Sequence, residues 1–274
     1  MKVCIIGCGN MGLIYAQLLI KSGVNSKNIS LIVKNETKKM ELMSRHIGNV
    51  ALLDSQLIYE ADLVLISVKP QDFNKLTLSL RNKIKPNALV ISIMAGINTS
   101  FIQKNLRHEN VIRAMPNAPA LFGKGVTVYF NSENISEELA TLGETFLSLT
   151  GKTLKTQKEE LLDAVTAISG SGPAYFFYLA ELINEAAESL GIDKQMANIL
   201  VRETLIGSAE MVANSNQNFS SLIDTVASKG GTTEAALNYF RENHTNQIIS
   251  NGLAKASEKS KDLSKNLLEN AVLL

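Results

Sequence analysis

The sequence has no tryptophan, two cysteines and three histidines, and aromatic residues make up only 5% of it. With His46, His108 and His244 scattered and Cys4 and Cys8 the sole thiols, the ligand set of a structural zinc site is missing. Two cysteines cannot build a disulfide framework. They sit near one predicted strand, where alternation would put both on the same face, and they read as small buried thiols of a cytosolic chain. An excess of charge is missing too. The 27 Lys and Arg oppose 26 Asp and Glu, a net charge of +1, which argues against a nucleic-acid binder that works by neutralising phosphates and against an acidic tail. Long apolar runs are also absent. The longest candidate, Ala88–Ile97, contains Ser92 and Gly96 and falls short of the roughly 18 residues that a membrane helix needs. The start, Met1–Gly7, lacks the apolar stretch of a signal peptide and runs straight into structure. We therefore expect a cytoplasmic chain with no membrane or nucleic-acid partner.

What is present suffices for a sizeable core. Of 274 residues, 45% are hydrophobic and 19% charged, and at roughly 150 residues per domain the length predicts about two domains. Residues 1–155 alternate short apolar runs with amphipathic stretches. The runs are Lys2–Ile6, Ser30–Val33, Leu63–Val68, Ala88–Ile93, Val111–Met115 and Val126–Phe130. Their near-continuous hydrophobicity predicts strands buried on both faces, and helical patterns such as Met11–Lys21 and Phe73–Arg81 separate some of them. The alternation predicts an α/β domain with a mainly parallel sheet and crossover helices. Residues 156–274 read as helices only: Glu159–Ile168, Ala174–Leu190, Lys194–Ala213, Ser221–Ala227, Thr233–Asn243 and Gln247–Leu268. Gly191 suits a helix stop and Asp193 an N-cap. The boundary is the polar stretch Thr150–Lys158, with Gly151 closing the preceding helix, and Lys255–Lys265 reads as a solvated helix face.

Gly7-Cys8-Gly9-Asn10-Met11-Gly12 is a full G-x-G-x-x-G between a predicted strand and a predicted helix. In that setting the first glycine permits the tight turn, the second admits a pyrophosphate against the backbone, and the third lets helix pack on strand. A ligand-free βα turn is the plainer alternative. After the second strand come Lys34, Asn35 and Glu36, then Lys38 and Lys39. Cations and an amide suit a 2′-phosphate and favour NADP. Glu36 keeps NAD open, and the lysines can also be a solvated helix start. Three further segments, Val68-Lys69-Pro70, Met94-Ala95-Gly96-Ile97 and Met115-Pro116-Asn117-Ala118-Pro119, end strands at the edge where this architecture binds ligands. Asn117 offers an amide there or is an ordinary turn residue.

In the helical half, Ser169-Gly170-Ser171-Gly172-Pro173 precedes a long helix. Ser171 or Gly172 would cap that helix, with Pro173 at its first position. Glycines within a helical pattern cost about 1 kcal/mol each against alanine, which suggests close backbone approach to another helix or a ligand. Ser228-Lys229-Gly230-Gly231-Thr232-Thr233-Glu234 opens another helix. Free amides at Gly231, Thr232 and Thr233 would make an anion nest fit for a carboxylate, and a plain glycine cap is the alternative.

In this order and over essentially the whole chain, these motifs resemble the pyrroline-5-carboxylate reductase family. The resemblance implies a Rossmann-type nucleotide domain and an all-α domain that intertwines with its mate in a homodimer, often assembled further into a decamer. It implies NADPH, or NADH, as hydride donor and a small-molecule substrate, 1-pyrroline-5-carboxylate, reduced to L-proline in the final step of proline biosynthesis. By resemblance, Ile6, Gly7, Cys8, Gly9, Asn10, Met11 and Gly12 hold the pyrophosphate, and Lys34 and Asn35 face the adenosine ribose. Val68, Lys69, Pro70, Ala95 and Gly96 line the cofactor, with Asn117 near the nicotinamide. Gly230, Gly231, Thr232 and Thr233, with Ser171, bind substrate, and the Thr233 hydroxyl reaches the ring nitrogen as the catalytic contact.

Three residues depart from the family pattern. Lys229 stands where the family usually has Pro, Asp54 where an Asn helps hold the cofactor, and Glu234 beside the loop opposes an anionic substrate. None removes a group that imine reduction requires, because the cofactor carries the hard step and no strong base is needed. Two other readings remain. A β-hydroxyacid dehydrogenase needs a Lys base on the long helix, and Pro173–Leu190 contains none. A non-catalytic nucleotide-binding paralogue is the other.

Overall fold

The computed structural model describes residues 1–271, and the side chains of residues 1–263. The last three residues of the expected helical half lie outside that range. Two compact units emerge: residues 1–171 together with residues 255–271, and residues 172–254.

The first unit is built on eight strands. They are β1 (Val3–Ile6), β2 (Ile29–Val33), β3 (Asn49–Leu52), β4 (Leu63–Ile66), β5 (Leu89–Ser92), β6 (Val111–Met115), β7 (Gly125–Asn131) and β8 (Gly151–Lys155). They lie in the order β3-β2-β1-β4-β5-β6-β7-β8, parallel throughout except for the β6–β7 pair. Helices α1 (Asn10–Lys21), α2 (Glu36–Met43), α3 (Phe73–Leu80), α4 (Thr99–Leu106) and α5 (Glu137–Ser148) make the crossovers. The continuous apolar runs become strands, and all but β7, which is half-exposed on one face, are buried on both faces. Ile6, Ile32, Val64 and Val90 pack into one core layer, and Ile5, Leu31, Leu65 and Leu89 into the other. That alternation follows from the two-residue period of a strand.

The structure corrects several expectations. Cys4 and Cys8 are free and buried but belong to opposite layers, because β1 ends at Ile6 and Gly7 turns the chain before Cys8. Burial pushes the Cys4 thiol up and the Cys8 thiol up to about 12, so both stay protonated. The edge strands β3 and β8 escaped the sequence reading because half-exposed strands carry no continuous apolar run. Gly151 does not close a helix: α5 stops at Ser148, and Gly151 opens β8 at φ +129. There a Cβ would lie 2.3 Å from the Gly125 carbonyl oxygen.

After β8 the chain is helical: α6 (Leu161–Val165), a π-turn (Thr166–Gly170), α7 (Gly172–Ser189), α8 (Lys194–Ala213), α9 (Phe219–Val226), α10 (Thr232–Glu242) and α11 (Thr245–Ala271). Asp193 caps α8 as expected, its carboxylate accepting from the Gln195 and Met196 amides. Ser171 does not cap α7. Its amide donates to the Thr166 carbonyl across the π-turn. Neither glycine marks a close backbone approach to another helix: a Cβ at Gly170 would sit 2.6 Å from the Met115 methyl, the free end of a flexible side chain on β6, and Gly172 meets nothing within 4 Å. The supposed solvated face of Lys255–Lys265 includes Ser260, which is 3% exposed.

Candidate active site

The first candidate site lies at the carboxyl ends of β1, β2 and β4, where the strand order reverses. Beyond β1, Gly7 takes φ +92 and donates its amide to the Ile32 carbonyl at 3.1 Å. A side chain there would collide with the Val68 amide nitrogen, 2.7 Å from an ideal Cβ. At Gly12 a Cβ would lie 2.3 Å from the Gly7 carbonyl oxygen and 2.6 Å from Ser67 Oγ. Around Gly9 nothing lies within 4 Å of the corresponding position. The chain's own packing therefore demands glycine at 7 and 12 but not at 9, where only a bound group would gain from the missing side chain. Gly9 caps α1 without a side-chain hydrogen bond, and the first intrahelical donor is the Leu13 amide. The amides of Asn10, Met11 and Gly12 are therefore open to an anion at the positive end of α1. Tyr15 fixes that helix: it is fully buried and stacks on Phe146 with centroids 4.9 Å apart.

A cavity of about 1200 Å³ opens here, lined by Ile6, Gly7, Cys8, Gly9, Lys34, Asn35, Val68 and Lys69 among others. It exceeds the roughly 300–1,000 Å³ of sites for drug-sized ligands and suits a dinucleotide. Pro70 stands just beyond Lys69 and opens a short 3-10 turn, Pro70–Asp72. Ser67 went unnoticed in the sequence. Its hydroxyl donates to the Gly7 carbonyl and so locks the glycine turn from the neighbouring strand. The one sequence signal is its place directly before Val68-Lys69-Pro70, inside the predicted strand Leu63–Val68.

At the β2 end the cations divide. Asn35 Oδ1 accepts from the Lys38 amide at 2.9 Å and caps α2, which leaves only its NH₂ for a ligand. Lys38 reaches Glu41 at 2.7 Å and Lys39 pairs with Glu36 at 3.2 Å. The exposed Lys34 has no ion-pair partner among the described residues. Farther along the same edge, Ala95 and Gly96 (φ +76) follow β5, and Asn117 follows β6. They lie outside the cavity around the glycine turn. Asn117 Oδ1 accepts from the Val126 amide at 3.0 Å and so braces β7. Asp54, exposed after β3, is not among the cavity-lining residues.

The second unit carries the other candidate loop. Gly230 takes φ +73, and its amide donates to Glu234 Oε2 at 2.7 Å. The Gly231 amide, expected to be free, donates to the Ser228 carbonyl at 3.0 Å because the loop closes as a turn. The first intrahelical donor of α10 is the Ala235 amide, so Thr232 and Thr233 keep the open amides, and the Thr233 side chain is half-buried. Among the described residues no cluster of His, Cys, Asp and Glu could hold a metal, and no helix is long and apolar enough to cross a membrane.

Comparison with known proteins identifies relatives of the chain. The sequence model described as pyrroline-5-carboxylate reductase dimerisation matches residues 159–263. The model described as NADP oxidoreductase, coenzyme F420-dependent, matches residues 2–96. Pyrroline-5-carboxylate reductase 1 of Bacillus subtilis is 33% identical over 277 aligned positions, covering 100% of this chain and 93% of that protein. A pyrroline-5-carboxylate reductase structure from Coxiella burnetii superposes with a TM-score of 0.87 at 30% identity, covering 96% of this chain and 98% of that one. The Plasmodium falciparum pyrroline carboxylate reductase, solved with NADP bound, superposes with a TM-score of 0.83 at 27% identity over 96% of this chain and 98% of that one. The chain belongs to the pyrroline-5-carboxylate reductase family.

Proposed function

We propose that the chain reduces the cyclic imine 1-pyrroline-5-carboxylate to L-proline, with NADPH preferred over NADH. The observation that carries this reading is the glycine turn, closed by its own packing at Gly7 and Gly12 but left open at Gly9. When bound, the nicotinamide cofactor supplies the hydride. The open amides of Asn10, Met11 and Gly12 hold the pyrophosphate, and Lys34 with the Asn35 NH₂ receives the 2′-phosphate. Val68, Lys69, Pro70, Ala95 and Gly96 flank the cofactor, with Asn117 toward the nicotinamide. The amides of Thr232 and Thr233 take the substrate carboxylate, and the Thr233 hydroxyl oxygen accepts from the N–H of the protonated ring nitrogen. No base is required, because the protonated imine is already electrophilic. The missing lysine on α7 speaks against a β-hydroxyacid dehydrogenase. The helical half joins two chains as a homodimer. Five such dimers in a decamer, in the cytoplasm, complete the proposal, and native mass tests the assembly.

The test is oxidation of NADPH and of NADH, in parallel, with pyrroline-5-carboxylate. Turnover supports the reading, and NADPH binding without turnover would favour a non-catalytic nucleotide binder. Thr233→Ala should lower kcat about tenfold or more, the scale of one lost charge-assisted hydrogen bond, while NADPH affinity holds. Equal loss of both would make Thr233 structural. Lys34→Ala should raise the NADPH KM about fivefold, the scale of one exposed ion pair, and leave the NADH KM in place. An equal rise for both cofactors would remove Lys34 from the 2′-phosphate.

A further inference from the structure

One buried charge cluster has no part in the site described so far. Arg113 on β6, 4% exposed, places Nη2 3.0 Å from Asp163 Oδ1 on α6 and Nη1 3.7 Å from Glu159 Oε1. Asp163 Oδ1 also accepts from Ser260 Oγ at 2.9 Å. Two carboxylates thus face one cation, and the second needs other partners. Glu159 finds them 60 residues away at the start of α4: Oε1 accepts from the Thr99 amide at 2.7 Å and Oε2 from Thr99 Oγ1 at 3.0 Å. Negative charge there complements the helix dipole.

Stability of α4 alone does not call for this arrangement. Asn98 already caps that helix, with Oδ1 accepting from the Phe101 amide at 2.8 Å. The second anchor fixes instead the segment that leads into the helix, Met94–Asn98. This segment leaves β5 at the carboxyl edge of the sheet and passes through Gly96 in the left-handed region. Met94 and Ile97 are 2% exposed, so two apolar pegs and the Thr99–Glu159 bonds bracket Ala95–Gly96. Resting on the cofactor reading above, we propose that Glu159, oriented by Arg113, is a positioning residue for hydride transfer: through Thr99 it sets where Ala95–Gly96 meets the nicotinamide end of the cofactor. Adenosine and pyrophosphate contacts lie on other loops and are untouched.

The test uses the full chain with Thr99→Val, which removes the hydroxyl at constant shape, Thr99→Ser, which keeps it, and Glu159→Gln. Thr99→Val should lower kcat about tenfold, since a small displacement at the reacting centre costs at least that much, with NADPH affinity held. The isotope effect on kcat with NADPH deuterated at the transferred position should rise. Thr99→Ser should restore both, and Glu159→Gln should follow Thr99→Val. A merely structural bond would lower the melting temperature and the active fraction together and leave the isotope effect unmoved, which overturns the inference, as does an unchanged kcat. Wild-type protein that fails to bind NADPH would overturn the cofactor reading and this inference with it. Normal wild-type binding beside an unaffected Thr99→Val overturns this inference alone.

Discussion

Gly12→Ala should cost the chain up to about a hundredfold in NADPH affinity, the scale of about 1–3 kcal/mol of overpacking. The new methyl group would lie 2.3 Å from the Gly7 carbonyl oxygen and 2.6 Å from Ser67 Oγ, and the nearer of the two is backbone, which cannot yield cheaply. Gly7 is held by its own bond to Ile32 and by the Ser67 hydroxyl. The helix cannot retreat cheaply, because Tyr15 and Ala16 are fully buried and Leu19 is 1% exposed. Relief must come from the first turn of α1, which carries the amides that meet the pyrophosphate. Overpacking of this kind destabilises by about 1–3 kcal/mol, so the melting temperature should fall by several degrees as well. Gly9→Ala makes the matched experiment. Gly9 sits at φ −79 with open space around it, so its alanine variant should melt like the wild type yet bind NADPH more weakly. Titration of NADPH fluorescence and thermal melts of both variants check the pair. Full affinity in Gly9→Ala would move the pyrophosphate elsewhere.

The contrast between Gly9 and Gly12 also marks how far the residues alone could be read. The motif spacing located the turn, but only packing separates a glycine that the chain needs from one that a ligand needs. Ser67 stayed hidden because its partner, the Gly7 carbonyl, lies 60 residues away across two strands. The central strands were legible because burial on both faces leaves an unbroken apolar run, whereas β3 and β8 at the edges leave none. Helix α8 was read with its bounds intact, Lys194–Ala213, because Asp193 is a strong N-cap. The π-turn could not be read, since Ser-Gly-Ser-Gly-Pro carries the composition of a helix break, yet Thr166–Gly170 closes as a π-helix. In the Gly230–Gly231 loop the glycines were found, but a sequence does not show that Glu234 and Ser228 already occupy two of its amides.

The largest structural effect should come from a charge on the open face of α7. Within residues 172–254 only Gly172 and Ala197 are buried. Leu179, Leu182 and Ile183, spaced three and four apart on α7, are 55%, 42% and 51% exposed, and Ile199, Leu200 and Ile206 on α8 are 55%, 49% and 52% exposed. Full burial of each such side chain is worth about 1.5–3 kcal/mol, and a small helical unit cannot forgo them all and stay folded. In the homodimer proposed above, a second copy of the same unit supplies the missing cover, and twofold symmetry makes every such residue count twice. Ile183→Asp would then bury two unpaired carboxylates per dimer, at several kcal/mol in total. The dimer dissociation constant should rise by about a hundredfold or more. Sedimentation velocity at micromolar protein should show monomer, and the melting temperature should become strongly concentration-dependent. Ile183→Leu, which keeps volume and apolarity, should remain dimeric. If Ile183→Asp sediments as the wild type does, this face is not where the two chains meet, and the exposed residues of α7 and α8 would need another cover.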